Sequence, residues 1–209
     1  NQTANLDGVN WTSTGYADGA WPQGSALLYV EADPLPAPKN TSLTLGRTTY
    51  YFRTTFNWSA STNGVTLWLS PVVDDGAVFY LNGQRVLSVG ISTNTPPAYA
   101  TLASRNVNNA VVEGPFGIPV SALRVGENVL AVEVHQAAQN STDIVLGAEL
   151  SAITVTASPD ARPVVLNEVL ANNRSLTNAA GGLSDWVEVR NLSTNVVDLA
   201  DYSLSDDPG

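Results

Sequence analysis

Apolar positions along this chain recur with a period of two, in short runs separated by Gly, Pro, Asn and Asp, and no segment keeps helical periodicity for three turns. In residues 50–56, Tyr50, Phe52 and Phe56 fall on one face, with Tyr51, Arg53 and Thr55 on the other. In residues 65–70, Val65, Leu67 and Leu69 alternate with Thr66, Trp68 and Ser70. Residues 128–135 set Leu130, Val132 and Val134 against Val129, Ala131, Glu133 and His135. The pattern predicts an all-β protein whose strands press one face on a core and turn the other to solvent.

The stretch VVDDGAVFYLNGQRV, residues 72–86, carries both a turn signal and a chemical question. Asn82-Gly83 tolerates positive φ at both positions, as a two-residue type I′ hairpin requires, so one strand ends there and another begins at Gln84. Asp74-Asp75-Gly76 also has turn chemistry, short acceptors followed by a residue without Cβ, and predicts a strand at 77–81 between two turns, the first of which starts a hairpin. The same adjacent carboxylates are candidate cation ligands.

A final long run at 143–156 is followed by ASPDARP, whose two prolines, serine and aspartate mark the best domain boundary. The expected organisation is a β-sandwich over 1–157, a linker over 158–163 and a second unit over 164–209. In the second unit, residues 164–170 and 185–190 read as strands around a polar, glycine-containing connection at 172–184. Its length is short for an independent sandwich, so the second domain is expected to be incomplete. The chain begins at Asn1 without Met, which reads as a processed or excised piece.

Hydrophobic residues make up 44% and charged residues 13% of the 209 positions, which fits a globular protein with a weakly charged surface. The net charge is −10 and Lys39 is the single lysine, so no basic cluster exists to displace phosphate counterions, and nucleic acid is excluded as a partner. Without cysteine there are no disulfides and no thiolate metal sites. No apolar run is long enough to span a bilayer, so membrane insertion is not expected. Sequons at Asn1, Asn10, Asn40, Asn57, Asn140, Asn173 and Asn191 matter only in a secretory pathway that glycosylates.

Four phrases in order, GYADGAWPQGSALLYVE, TTYYFRTTFNW, VDDGAVFYLNGQRV and LRVGENVLAVEVHQAAQNSTDIVLGAEL, carry a resemblance over residues 10–155. They resemble the galactose-binding-like jelly-roll domains of large secreted bacterial proteins and, more distantly, the sugar-binding domain of family 2 glycosidases. That resemblance implies an eight-stranded sandwich, usually non-catalytic and often carbohydrate-binding. The tail phrases VVLNEVLANN, SDWVEVRN and VVDLADYSLSDDPG are similar to the opening half of the lamin tail domain, a partial immunoglobulin-like β-sandwich here. Asn167, Glu168, Asp185, Trp186 and Asp206 carry it, with structural roles expected. The pairing resembles long planctomycete-type or verrucomicrobial-type exoproteins, which implies a secreted or cell-surface protein.

Catalysis is hard to build from these residues. There is no thiol, no Gly-x-Ser-x-Gly elbow, and the single histidine, His135, is expected in a structural or surface role, so the chain is read as no enzyme. Calcium is the expected ionic ligand, with Asp74 and Asp75 as one site. The resemblance suggests a second, structural calcium between early loops and the last strand, at Asp7 or Asp18 approaching Glu149. Sugar binding needs an aromatic face with nearby amides or carboxylates, and Tyr16, Trp21, Trp68 and Tyr99 are the candidates. Trp21 also reads as a packing element, and Trp186 as core. The expected function is a non-catalytic extracellular module that binds carbohydrate, such as a cell-surface polysaccharide, or anchors a larger protein. The alternatives are an architectural unit of a surface fibre completed by neighbouring copies, and an accessory domain of a secreted hydrolase.

Overall fold

The structure, a computed structural model, describes residues 4–92, 97–154, 163–200 and 202–205. Its contacts divide the chain into two compact units, Asn1–Val155 and Thr156–Gly209. Of the expected linker only Pro163 lies within the described residues, and Asp206 lies outside them. The protein is all-β: one short 3-10 turn, Val120–Ala122, is the only helical element among the described residues. No helix of the described residues is long and apolar enough to cross a membrane.

Among the described residues nine strands build the first unit: β1 Leu28–Val30, β2 Thr41–Ser42, β3 Thr49–Trp58, β4 Val65–Asp74, β5 Gly76–Leu81, β6 Gln84–Val89, β7 Phe116–Ile118, β8 Gly126–His135 and β9 Ile144–Thr154. They form a five-stranded sheet, order β2-β1-β9-β4-β7, and a four-stranded sheet, order β3-β8-β5-β6. The count exceeds the eight that the resemblance implies, and β2 is only two residues long. Asn82 (φ 53°) and Gly83 (φ 84°) close the β5–β6 hairpin in the left-handed region that the two-residue turn demands.

The alternation is realised in the core. Tyr50 and Phe52 of β3, Val65, Leu67 and Leu69 of β4, and Leu130, Val132 and Val134 of β8 join Phe79 and Leu81 between the sheets, with Phe56 packed against them. Thr55 at the far end of β3 is exposed, but the rest of the second faces that the pattern assigns to β3 and β8 does not meet solvent as predicted. Tyr51, Val129 and Ala131 are buried beneath an aperiodic N-terminal segment that brings in Leu6 and Trp11, with Tyr16, Trp21, Tyr80 and Tyr99 packed around them. Trp11 meets Tyr51 edge to face at 4.9 Å. Each large side chain so buried stabilises by about 1.5–3 kcal/mol, enough to order a segment that has no ladder of its own. A similar cover, built on Leu27, Val72, Ala110 and Val145 with Tyr29 and Leu35, forms a third apolar cluster.

Burial of the second faces also relocates His135, which is 0% exposed rather than on a polar surface. Its Nδ1 lies 2.8 Å from the Thr101 carbonyl, an acceptor only, so Nδ1 carries the proton. Thr49 Oγ1 donates to the Tyr99 carbonyl at 2.6 Å and lies 3.0 Å from the same ring nitrogen.

The second unit is an antiparallel pair, β10 Val164–Leu170 and β11 Trp186–Asn191, with a register shift between Leu166 and Glu168 that leaves Asn167 as the bulged residue. Asp185 caps the connection by accepting from the Asn173 amide at 2.8 Å, and Asn173 donates its side-chain nitrogen to the Leu176 and Ser184 carbonyls. The backbone amides of Asn173 and, after it, Asn172 hold the Asp185 carboxyl below the usual range. Trp186 is half-buried.

Candidate functional site

β4 and β5 belong to different sheets, and Asp75 is the one residue between them. The Asp-Asp-Gly turn therefore precedes the β5–β6 hairpin but is itself a crossing from sheet to sheet. It gives its two carboxylates opposite surroundings. Asp75, 1% exposed, accepts from the Val107 amide through Oδ1 at 2.8 Å and from the Ala137 amide through Oδ2 at 2.7 Å. Its carbonyl accepts from Arg105 Nε at 2.7 Å, and Arg105 forks onto Glu113 at 2.8 and 2.6 Å. Asp75 is thus a fastener for two loops, with both oxygens committed.

Asp74 is 0% exposed, and neither of its carboxylate oxygens has a hydrogen-bond partner. It faces acceptors instead: oxygens of Glu31, Asp74 and Asp143 lie within 4.8 Å of one another. Burial, first, and then the adjoining Asp75 carboxyl and the charges of Asp143 and Glu31 push the Asp74 carboxyl up to about 8. Burial likewise raises Asp143, with Glu31 and Asp75 adding to it. Two ionised carboxylates have no hydrogen to share, so Asp74 and Asp75 bond to each other only when one holds a proton. Glu31 Oε1 accepts from the Asp33 amide at 2.8 Å, whereas Oε2 is buried without a partner. Beside Asp143, the buried Gln136 donates its Nε2 to the Asp143 carbonyl at 2.7 Å and leaves Oε1 unpaired. Oxygen acceptors converging without a donor suit a hard cation.

A second feature is a cleft of about 600 Å³ lined by Trp21, Asp18 and Gln23 beside Thr54, Thr55 and the apolar Phe52 and Leu130. Arg53, whose side chain is 2% exposed, organises one wall. It pairs with Asp18 at 2.7 Å, donates to the carbonyls of Ser13 (3.0 Å) and Trp11, and stacks its guanidinium 5.3 Å from the Tyr16 ring centroid. Tyr16 in turn meets Trp21 edge to face at 5.8 Å. The charge of Arg53 is neutralised inside this frame, so the cleft presents an aromatic edge, an amide and hydroxyls rather than net charge.

The sequence-predicted residues scatter among these places. Tyr16 and Trp21 are brought together; Tyr99 sits in the N-terminal cover, its amide donating to Asp7 Oδ1 at 2.8 Å. Trp68, half-exposed, lies on the other sheet against Gly117 of β7 and opposite Ser151 of β9. Asp7 accepts from the Tyr99 amide, Asp18 pairs with Arg53, and Glu149 is exposed opposite Ser70. Of the acidic candidates only Asp74 belongs to the acceptor cluster. Glu31 and Asp143, its partners, were not singled out in the sequence because each stands alone there; the available signal was an acid directly flanking a strand, after Val30 and before Ile144.

The fold and site together define an all-β sandwich with an acidic corner and an aromatic-edged cleft. No protein-family model matches the chain, and no curated protein does. Among solved structures, the crystal structure of a beta-glycosidase from Bacteroides vulgatus is similar over 87% of this chain, at 11% identity and a TM-score of 0.32. The chain spans 26% of that protein's length.

Proposed function

We propose that the chain is a non-catalytic, extracellular module of a larger protein that binds a neutral carbohydrate, its first unit a galactose-binding-like jelly roll and its second the opening of a lamin tail domain. The observation that carries the binding reading is the half-exposed Trp21 on a cleft whose one cation, Arg53, is already neutralised by Asp18. A sugar needs an apolar ring face for its C–H side and neutral donors and acceptors for its hydroxyls, which Trp21, Gln23, Thr54 and Thr55 supply. The non-catalytic reading is supported by His135, which is buried with Nδ1 engaged, and by the full burial of Asp74, which has no exposed surface for a glycosidic oxygen to meet.

The test is binding to an array of glycans and polysaccharides, repeated with Trp21→Ala and Trp68→Ala. Saturable binding lost in Trp21→Ala and kept in Trp68→Ala supports the cleft; the reverse moves the platform to the outer face of β4. No binding by the parent protein overturns the carbohydrate reading.

One observation favours a second reading, an architectural unit. The two-stranded β10–β11 sheet exposes Val165, Leu166, Val169, Val187 and Val189, and strand edges of this kind template pairing with another chain. Sedimentation that stays monomeric at all concentrations counts against it.

A further inference from the structure

We propose that Glu31, Asp74 and Asp143 together bind one calcium ion, which clamps the end of the five-stranded sheet where the chain crosses to the four-stranded one. This is independent of the carbohydrate reading and uses none of the cleft residues. The three acids are far apart in sequence, and strand pairing alone assembles them. β1, β9 and β4 are successive neighbours in the sheet. Val30 pairs with Ile144, so Glu31 and Asp143 leave adjacent strands at the same end; Asp74 pairs with Val145, one position further along β9.

Acidic clusters are common without a ligand, and the fit to an ion rests on a separate fact. Asp74 is 0% exposed and receives no hydrogen bond on either oxygen, so its ionised form carries a desolvation cost that only a cation or a bound proton offsets. The nearby cations are already used. Arg105 spends its guanidinium on Glu113 and on the Asp75 carbonyl, and Lys39 donates to the backbone carbonyls of Glu31 and Ala32, not to a carboxylate. Buried acceptors without donors also include Glu31 Oε2 and Oε1 of Gln136, whose amide is anchored on the Asp143 carbonyl.

The donor set selects the metal. All three ligands are carboxylate oxygens, and calcium takes such ligands at roughly 2.3–2.6 Å in flexible geometry, whereas magnesium demands a tighter octahedron at about 2.1 Å. Oxygens up to 4.8 Å apart fit across the larger sphere. Glu31 and Asp143 also line a surface groove of about 590 Å³ with Ser42 and Thr142, which opens a path from solvent. Asp75, with both oxygens on backbone amides, is a neighbour of the ion and not a ligand.

The experiment is a calorimetric titration of the chelator-stripped protein with CaCl₂ and, separately, MgCl₂, alongside the melting temperature at each concentration. The expected result is one saturable calcium site, a melting temperature that climbs with each tenfold rise in calcium, and weaker binding of magnesium. Glu31→Gln and Asp74→Asn should each weaken calcium at least tenfold, while Glu149→Gln, outside the cluster, leaves it unchanged. Asp143→Asn stands in should either variant fail to fold. Absence of heat and of any melting shift up to about 10 mM calcium, above the range in which extracellular calcium modules bind, overturns the proposal. So does calcium binding that survives Glu31→Gln and Asp74→Asn undiminished. If the parent shows no binding and Asp74 holds a proton across neutral pH by carboxyl NMR, the corner is satisfied by a proton instead.

Discussion

The same substitution at two adjacent aspartates should shift stability in opposite directions. Asp75→Asn replaces one acceptor oxygen by an NH₂ group facing a backbone N–H, that of Val107 or of Ala137. One charge-assisted hydrogen bond is lost, about 1.5–3 kcal/mol, and a buried N–H is orphaned, about 1–3 kcal/mol, so a loss of about 3–5 kcal/mol is expected. Asp74→Asn meets no donor, because both Asp74 oxygens are unpartnered and the amide faces the Glu31 and Asp143 carboxylates, which accept. In metal-free protein the folded Asp74 keeps its proton up to about 8, while the unfolded chain gives it up near 3.8. The folded state therefore binds more protons through that window, and its stability falls as pH rises from about 4 to about 8, by up to about 1.4 kcal/mol per pH unit. At about pH 7 this amounts to about 4 kcal/mol, most of which a neutral amide removes, so Asp74→Asn should stabilise by about 2–4 kcal/mol. Urea unfolding in chelator across this pH range measures both. Equal destabilisation by the two variants, or a parent curve parallel to that of Asp74→Asn, refutes the division of roles.

Arg53→Met removes the buried guanidinium and leaves the carbonyls of Trp11 and Ser13 without their donor, while Asp18, 38% exposed, passes to water; a loss of about 2–4 kcal/mol in urea unfolding is expected, with earlier proteolysis of the N-terminal segment. Asn128→Ala deletes a side chain that accepts from Asn82 and the Arg124 amide and donates to the carbonyls of Arg124 and Gly126. It should cost about 2–4 kcal/mol, and Asn128→Asp should not rescue it, since a carboxylate cannot donate. Tyr51 and Tyr80 have phenols raised by burial, the latter also by its bond to Glu133; in an alkaline absorbance titration they should ionise only together with unfolding, and Phe substitution at either position should remove amplitude from that late step.

The local and the periodic were legible in the sequence. Asn82-Gly83 specifies its hairpin because few other dipeptides tolerate the required φ, and alternation assigned the inner faces of β3, β4 and β8 because a strand's side chains must alternate. The expected solvent faces failed where coverage came from elsewhere. Val129 and Ala131 hinted at a buried second face, yet Leu6 and Trp11, which cover it, lie in a segment without period. Sequence equally identified Asp74-Asp75 as chemically notable but could not separate the two. Their difference is decided by what each meets across the fold: amides of Val107 and Ala137 for one, acids of Glu31 and Asp143 for the other. Those partners are set by strand order and register, long-range choices that local composition does not encode; hence the sequence determined the strands and turns, and the tertiary structure alone decided which carboxylates share a corner.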